Sequence, residues 1–250
     1  MLFRAAEAVV PLRREASESS EMVSQLLFGE TVEKIGEKPR WWQVRCGHDG
    51  YEGWLDPKMV QAVTKEAPLS WHILTRGSLV LENDHIMPLP IGSRIPVSSE
   101  GMPQPFRISH SMLRPSKDLT YISHADRSEL PTLACLFLYT PYLWGGRSGW
   151  GIDCSGFTQQ VFAMLGISLP RDSSQQALTG TEVAWGDHQA GDLVFFSQQT
   201  DRVSHVGIIL GPNKIIHASG RVRIDVLDPK GIIHTHHQDL THNLLTIRRC

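Results

Sequence analysis

The sequence predicts an α+β protein with a β-rich N-terminal half and a C-terminal half in which helices precede an antiparallel sheet. Two observations carry this prediction. Up to residue 122 the apolar residues occur in short segments separated by glycine and proline, as in small strands joined by turns. From Ser123 onward helical spacing comes first and strand patterns follow, which is the order of an α+β arrangement. The 250 residues leave room for more than one domain.

The first 62 residues predict a small β-barrel. Trp42-Gln-Val-Arg-Cys46 alternates apolar and polar residues, the period-two pattern of a half-buried strand. Gly47-His-Asp-Gly50 is a hairpin connection, and Tyr51-Glu-Gly-Trp-Leu55 is the returning strand. Together with the turn Leu26-Leu-Phe-Gly-Glu-Thr-Val32, these segments make residues 1–62 resemble a bacterial SH3 domain.

A weaker copy of the same pattern predicts a second, degenerate SH3-like barrel over residues 63–122. Leu89, Ile91, Gly92 and Ile95 repeat, 63 residues later, the spacing of four residues in the first turn. The many prolines of this segment allow only short or edge strands. A β-rich linker without a core of its own stays open as the alternative, because short apolar repeats also arise by chance.

The C-terminal segment, residues 123–250, predicts three helices and then a sheet. Ser128–Tyr139 suggests a helix with a proline near its first turn. The short segment Leu169–Gln176 suggests another, capped by Asp172 or Ser173. The predicted strands are Asp192–Ser197, His205–Leu210, Lys214–Ala218, Arg221–Val226 and Leu244–Arg249.

The third helix starts at Cys154, after a glycine-rich stretch that begins at Pro141. Phe157, Val161, Met164 and Leu165 lie at the spacing of a buried helical stripe, Asp153 is a suitable N-cap, and Gly166 follows the last turn. A thiol in the first turn meets the positive end of the helix dipole, so we expect its pKa to lie below the usual value of about 8.5. The alternative is a small buried cysteine that only packs.

Two histidines on adjacent predicted strands supply the groups that a nucleophilic cysteine needs. His205 lies near the start of one strand and His217 near the end of the next, and Gly211-Pro-Asn213 joins the two strands tightly. In an antiparallel hairpin these positions lie close together. We therefore predict that Cys154 attacks, that His205 is the general base and then the acid, and that His217 orients the ring of His205.

Four motifs in order resemble those of the NlpC/p60 cysteine peptidases. They are Asp153-Cys-Ser-Gly-Phe157, Gly191-Asp-Leu-Val-Phe-Phe196, Ser204-His-Val-Gly207 and Ile216-His-Ala218. The resemblance covers roughly the last half of the chain. It implies a papain-like catalytic domain with a Cys154, His205 and His217 triad. It also implies bacterial cell-wall peptides as substrates, cleaved between γ-D-glutamate and a diamino acid.

Leu169-Pro-Arg-Asp-Ser-Ser174, behind SH3-like modules, resembles the γ-D-glutamyl-L-diamino acid endopeptidases of that family, which require a free N-terminal L-alanine. The resemblance then implies roles for six further residues: Tyr142 assisting the oxyanion, Trp144 walling the pocket, Ser155 and Ser173 binding the D-glutamate carboxylate, Asp172 meeting the alanine ammonium, and Glu52 joining it from the first barrel. Glu52 has the alternative of a solvated strand residue, and Asp172 with Ser173 that of an ordinary N-cap pair.

The charge balance and the cysteine content indicate which binding partners and which cellular compartment to expect. The 24 basic and 26 acidic residues give a net charge of −2, which offers no electrostatic reason to expect nucleic acid or an anionic membrane. Four scattered cysteines argue against a disulfide framework and suit a reducing compartment. The N-terminus lacks the pattern of a secretory signal, and no apolar run reaches the ~18–20 residues of a membrane span. We expect a cytoplasmic monomer.

No cofactor or metal is predicted. His234-Thr-His-His237 has no carboxylate or cysteine partner at zinc-like spacing, so we interpret it as a polar loop. The predicted function is a cysteine peptidase acting on murein tripeptides or tetrapeptides in the recycling of cell-wall fragments. Two alternatives remain: an amidase or acyltransferase on the same cysteine–histidine core, and a non-catalytic cell-wall-binding protein.

Overall fold

The structure is a computed structural model that describes residues 1–63, 70–81, 84–108, 111–122, 125–198 and 202–250. The chain divides into two compact units, residues 1–123 and 124–250. The two segments predicted as separate barrels therefore lie within one unit. The predicted start of the C-terminal domain, Ser123, lies outside the described residues.

The first sheet is built from seven strands in the order β3-β2-β6-β5-β4-β1-β7. Its strands are β1 (Leu2–Ala5), β2 (Val9–Arg13), β3 (Met22–Leu27), β4 (Thr31–Lys38), β5 (Trp41–Cys46), β6 (Glu52–Leu55) and β7 (Val60–Ala62). The predicted pair is present as β5 and β6, with Val44 opposite Gly53. Alternating residues of these strands form one buried apolar cluster that includes Val10, Leu12 and Val44. A 3₁₀ turn at Pro57–Met59 precedes β7.

The second segment forms two small antiparallel sheets in the part of the chain that the structure describes. Its strands are β8 (Ser70–Arg76), β9 (Ser78–Leu81), β10 (Ile86–Pro88), β11 (Arg94–Val97), β12 (Phe106–Ile108), β13 (Ser111–Pro115) and β14 (Thr120–Ile122). Leu79, Ile95 and Leu113 are buried together, and Phe28 from the first segment joins their cluster. The segment thus has an apolar core, which the linker alternative lacks, and this core includes a side chain from the first segment.

The unit of residues 124–250 has helices followed by an antiparallel sheet. The helices are α1 (Leu130–Cys135), preceded by a 3₁₀ turn at Arg127–Glu129, α2 (Cys154–Met164) and α3 (Ser173–Gln176). The strands are β15 (Arg147–Ser148), β16 (Gly151–Ile152), β17 (Thr181–Val183), β18 (Leu193–Ser197), β19 (His205–Gly211), β20 (Lys214–Ser219), β21 (Arg221–Asp228), β22 (Gly231–Ile233) and β23 (Leu240–Arg249). The sheet order is β17-β23-β18-β19-β20-β21-β22, and β22 also pairs with β23.

Three features of this unit differ from the sequence prediction. The first helix is shorter than predicted and ends at Cys135, and Tyr139 has a φ of 68°, a left-handed conformation that a helix cannot contain. The last strand starts four residues earlier than predicted. Almost every residue of α2 is buried, including its polar ones, so the helix lies inside the unit with no solvent-facing side.

Hydrogen bonds satisfy Thr158 and Gln159, two of the buried polar residues of α2. The Thr158 hydroxyl donates to Gln176 Oε1 at 2.7 Å, and the Gln159 amide donates to the Leu169 carbonyl at 2.8 Å. Buried polar groups with such partners avoid the cost of burial without them. The central helix is thereby held to the segment around α3. Among the described residues, no helix has both the length and the apolar character that crossing a bilayer requires.

Candidate active site

Cys154 is the first residue of α2, as predicted. Asp153 is the N-cap in extended conformation, and its Oδ1 accepts a hydrogen bond of 2.7 Å from the Gly156 amide. This bond satisfies one of the amides that a helix start leaves without a partner. Cys154 as a residue is only 8% exposed, so it is buried rather than on an open surface.

The glycines before and within α2 allow backbone to approach backbone closely. A Cβ at Gly156 would lie 2.3 Å from the Gly146 carbonyl oxygen, so any other residue there would push the loop away from the helix. Gly145 has a φ of 76°, and its amide donates to Asp153 Oδ2 at 2.9 Å. The loop is thereby fixed against the start of α2.

A buried ion pair holds Asp153, the residue that precedes Cys154, in place. The Arg171 guanidinium donates to both carboxylate oxygens of Asp153, at 3.1 Å to Oδ1 and 2.5 Å to Oδ2. It also donates to the Ser155 hydroxyl at 2.8 Å. Arg171 and Asp153 are each at most 5% exposed. No role for this arginine was predicted from the sequence.

The structure brings Cys154 next to the start of β19, the strand whose first residue is His205. The backbone of Val206, the residue after His205, hydrogen-bonds the Cys154 thiol, as does the Ser155 backbone. His205 Nε2 lies 2.8 Å from His217 Nδ1, and the two rings meet edge to face. Gly207 pairs with His217 across β19 and β20, so the two histidines lie on a diagonal of the ladder. All three side chains are buried.

Two further residues belong to this cluster and were not predicted. His217 Nε2 lies 3.0 Å from Asp225 Oδ2 on β21, and Asp225 is 3% exposed. His242 on β23 stacks on the His205 ring, with centroids 4.4 Å apart and an interplanar angle of 27°. The cluster therefore joins four strands of one sheet to the start of α2.

The expectation of a low thiol pKa is wrong for this site. Burial raises the pKa of the Cys154 thiol to about 12, and the Asp153 carboxylate adds to the rise. Hydrogen bonds from the Val206 and Ser155 backbone and the charge of Arg171 act in the opposite direction but do not outweigh burial. The dipole of α2 is opposed here by the very carboxylate that caps the helix.

Both histidines are held neutral. Burial, followed by the neighbouring His217 and His242, lowers the pKa of His205 well below 6.5. Burial also lowers the pKa of His217, although its bond to Asp225 acts against this. With these pKa shifts the thiol of Cys154 and the imidazole of His205 are both neutral. A base with a lowered pKa stays unprotonated as the pH falls through 6.5.

Alkylation of Cys154 is expected to follow the raised thiol pKa. We expect the rate of its reaction with iodoacetamide to rise about tenfold per pH unit between pH 6 and 9 without a plateau, since the thiolate fraction grows in that proportion below the pKa. Mass spectrometry of the labelled peptide measures the rate, with Cys154→Ala as background. A rate that is already constant from pH 6 upward would show a stable thiolate and contradict this description.

Two residues were expected beside Cys154. Tyr142 is close enough for the charges of Cys154 and Asp153 to shift its pKa, whereas Trp144 is exposed to solvent. Burial raises the pKa of the Tyr142 phenol, and Cys154 and Asp153 raise it further, so its hydroxyl stays a proton donor. Tyr142 is bridged to Ile152, just before the N-cap of α2. The side chain of Trp144 is 62% exposed. Its predicted role as a wall of the pocket stays a prediction.

The three polar residues expected to bind substrate charge lie at two helix starts. The Ser155 hydroxyl accepts from Arg171 and lies 3.3 Å from Asp153 Oδ1, so it already has partners in the unliganded site. Asp172 is the N-cap residue of α3 by its backbone, but its side chain makes no capping bond there. Ser173 is the first residue of that helix. The backbone therefore fits the N-cap alternative without its capping bond, and the substrate contacts of Asp172 and Ser173 stay predictions.

Glu52 and the histidine-rich loop have structural partners. Glu52 is an exposed residue at the start of β6, and its Oε1 accepts two hydrogen bonds from Arg45, at 2.8 and 3.1 Å. This is the arrangement of the solvated-strand alternative, and the predicted ammonium contact stays a prediction. In the loop, the amides of His236 and His237 donate to His234 Nδ1 at 3.1 and 3.2 Å, which closes a polar turn.

Two family models match this chain, one in each of its two units. Residues 139–241 match the model of the NlpC/P60 family, and residues 12–59 match that of the bacterial dipeptidyl-peptidase SH3 domain. A γ-D-glutamyl-L-lysine dipeptidyl-peptidase of Bacillus subtilis is 30% identical over 218 residues, covering 78% of this chain and 71% of that protein. The chain belongs to the NlpC/P60 family.

Two further matches of this NlpC/P60 protein also cover most of the chain. The enzyme of the same name from Bacillus cereus is 28% identical over 249 residues, covering 86% of this chain and 73% of that protein. The crystal structure of an NlpC/P60 family protein from Bacillus cereus superposes with a TM-score of 0.82 at 22% identity, covering 100% of this chain and 99% of that one. The family is one of cysteine peptidases, and this chain is an enzyme of that class.

Proposed function

We propose that this NlpC/P60 protein hydrolyses the bond between γ-D-glutamate and a diamino acid in cell-wall peptides that begin with a free L-alanine. The observation that carries the proposal is the buried pair of His205 and His217, with the neighbouring Val206 backbone bonded to the Cys154 thiol. The names of the two Bacillus enzymes support the same bond type. In this proposal Cys154, His205 and His217 form the catalytic triad, in a papain-like domain preceded by two SH3-like barrels at residues 1–62 and 63–122.

The reaction starts from the neutral pair. His205 takes the proton of the Cys154 thiol as the sulfur attacks the scissile carbonyl carbon, and a tetrahedral oxyanion forms. Backbone amides at the start of α2 and the Tyr142 hydroxyl are the donors for this oxyanion, each contributing about 3 kcal/mol in comparable sites. His205 then gives its proton to the leaving amine of the diamino acid, and water hydrolyses the thioester.

Charge complementarity supports the choice of substrate. A γ-linked D-glutamate keeps its α-carboxylate, for which Ser155 and Ser173 are the hydroxyl donors. The free α-ammonium of L-alanine needs a carboxylate, for which Asp172, at the start of α3, is the candidate. Trp144 would form the apolar wall beside the peptide. Such peptides are fragments of murein, so the activity would serve their recycling.

The test is direct hydrolysis of defined tripeptides. We expect L-Ala-γ-D-Glu-meso-diaminopimelate, L-Ala-γ-D-Glu-L-Lys or both to yield the dipeptide L-Ala-D-Glu and the free diamino acid, identified by mass spectrometry. The N-acetylated tripeptide is the matched control, because acetylation removes the ammonium charge and leaves the scissile bond intact. We expect it to react at least about tenfold more slowly, as the loss of one charge-assisted hydrogen bond implies.

Each outcome has a separate meaning. No cleavage of either tripeptide would overturn the proposed substrate. Equal rates on the free and acetylated tripeptides would retain the bond specificity and remove the role of Asp172. Cleavage of an N-acylmuramoyl–alanine bond instead would favour the amidase alternative.

A further inference from the structure

A chain of buried hydrogen bonds leads away from the catalytic pair into the sheet. His205 Nε2 contacts His217 Nδ1 at 2.8 Å, and His217 Nε2 contacts Asp225 Oδ2 at 3.0 Å. The three residues come from β19, β20 and β21, which are neighbours in the sheet. They are exposed by 6%, 0% and 3%, respectively. Hydrogen bonds buried this deeply are strong, and their direction is fixed by the chemistry of their ends.

The Asp225 end of the chain can only accept. Its Oδ1 accepts from the Thr235 amide at 3.0 Å, and its Oδ2 forms an ion pair with the Arg223 guanidinium, whose Nε lies 2.8 Å away. Burial on its own raises the pKa of Asp225, but the bonds from His217 and Thr235 and the nearby charges lower it overall, so the group is a carboxylate. His217 Nε2 must therefore carry a hydrogen.

This hydrogen sets the tautomers along the whole chain. A neutral imidazole has one donor and one acceptor nitrogen, so His217 with a hydrogen on Nε2 has a lone pair on Nδ1. The 2.8 Å contact with that lone pair then requires a hydrogen on His205 Nε2. His205 is left with its lone pair on Nδ1, the nitrogen that can take the proton of Cys154.

We propose that Asp225 is a positioning residue that acts through His217 to keep His205 in the tautomer whose Nδ1 is the base for Cys154. Asp225 touches neither the thiol nor the substrate in this proposal. Its reaction role rests on the proposed function, whereas the tautomers are a property of the unliganded protein. The charged and titratable groups around the chain are Arg223 beside Asp225, His234 near His217, and His242 stacked on His205.

An asparagine at position 225 cannot replace the carboxylate. Of the groups that contact Asp225 in the described residues, the Thr235 amide and His217 donate to it, and the Arg223 guanidinium, which pairs with its charge, has no acceptor to offer. Whichever way an asparagine turns, its NH₂ group faces a donor on one side. If the NH₂ faces His217, the ring must accept at Nε2 and donate from Nδ1, which reverses the tautomer of His205 as well.

The kinetic test compares Asp225→Asn with Asp228→Asn. Asp228 lies on the same strand, and its Oδ1 accepts from the Lys230 amide at a turn, so the control removes one carboxylate of β21 without touching the histidines. We expect Asp225→Asn to lower kcat for the cleaved tripeptide about 10- to 100-fold, less than the loss of about 10⁴ when the carboxylate bonds the catalytic histidine directly. KM is expected to change less than threefold. The Asp228→Asn enzyme should retain its kcat.

The spectroscopic test needs no substrate. Nitrogen-15 NMR of the full chain with labelled histidine distinguishes protonated from unprotonated ring nitrogens, and the His205→Gln and His217→Gln variants assign the two signals among twelve histidines. We expect hydrogens on Nε2 of both rings in the wild-type protein at pH 7. In Asp225→Asn we expect either ring to show a substantial Nδ1–H population.

The outcomes separate this proposal from the proposed function. A wild-type His217 or His205 with its hydrogen on Nδ1 overturns the relay, whatever the enzyme cleaves. Unchanged kcat in a folded Asp225→Asn protein with unchanged tautomers also overturns it, and leaves the peptidase activity standing. If the tripeptides are not cleaved at all, the proposed substrate fails, while the wild-type NMR result still decides the tautomers. That wild-type measurement also decides the matter if Asp225→Asn does not fold.

Discussion

Cys154→Ala is expected to lower hydrolysis of the γ-D-glutamyl tripeptide about 10⁴- to 10⁶-fold, the range that follows removal of the nucleophile in comparable triads. The change removes one sulfur atom from a buried side chain at the start of α2 and leaves the Asp153 cap in place, since that cap bonds the Gly156 amide. The fold and the pocket for substrate charge should therefore persist. The expected loss is confined to kcat.

Two measurements check this expectation. Product formation is followed by mass spectrometry over hours at high enzyme concentration, and calorimetry measures binding of the tripeptide to the variant. Cys135→Ala is the matched control, because Cys135 is a free cysteine at the end of α1 in the same unit. We expect full activity from it. Retained hydrolysis by Cys154→Ala, even at one hundredth of the wild-type rate, would assign the chemistry to another group.

Because Cys154 and His205 are both neutral at rest, we expect the substrate to help activate the thiol. Proton transfer from a thiol with a raised pKa to an imidazole with a lowered pKa is uphill in the unliganded site. Attack on a carbonyl carbon removes the thiolate as it forms, and donors for the oxyanion stabilise the charge where it develops. A buried, neutral cysteine is also less exposed to oxidation than a standing thiolate.

The sequence was sufficient to predict the elements that carry the site. Apolar spacing and the Asp153 cap predicted the start of α2, and the turn between β19 and β20 predicted the pairing of the two histidine strands; the structure confirms both elements. These features depend on local spacing and on one short connection. Local rules of that kind are visible in sequence because few long-range contacts alter them.

Asp225 escaped prediction because its strand departs from regular alternation. In Arg221–Asp228 the apolar residues Val222, Ile224 and Val226 suggest that Asp225 faces solvent. The structure has the reverse, with Ile224 and Val226 each 38% exposed and Asp225 buried. Hydrogen bonds from His217 and from the Thr235 amide, two separate segments, hold the carboxylate inside. Only the tertiary structure brings these donors together.

The thiol pKa escaped prediction for a related reason. The position of Cys154 at a helix start reveals the effect of the α2 dipole on the thiol, but not the depth of Cys154 or the effect of the charge of its own N-cap. Desolvation is the largest contribution to the pKa of this thiol, and it cannot be read from a helical pattern. Arg171 also lies outside the local pattern, because it reaches Asp153 from 18 residues further along the chain.

Arg171→Met is expected to destabilise the unit of residues 124–250 by about 3–5 kcal/mol, the cost of leaving a buried charge without its partner. Methionine keeps much of the volume of the side chain but removes the donors to Asp153 and Ser155. The Asp153 carboxylate then stays buried with the Gly145 and Gly156 amides. Because Asp153 both caps α2 and holds the glycine loop, the destabilisation should be greatest at the start of α2.

Hydrogen exchange of peptides from residues 143–164 measures this effect as the free energy of opening, which avoids assuming a single two-state transition for a chain of two units. Arg248→Met is the matched control. Arg248 lies 3.6 Å from the carboxylate of Glu182, whose side chain is 71% exposed, so the loss of opening free energy should stay below about 1 kcal/mol. Arg171 also lowers the pKa of Cys154, so its removal should slow alkylation of that thiol further. Equal opening free energies in the two variants would mean that backbone amides alone satisfy Asp153, and that the ion pair with Arg171 does not stabilise the fold.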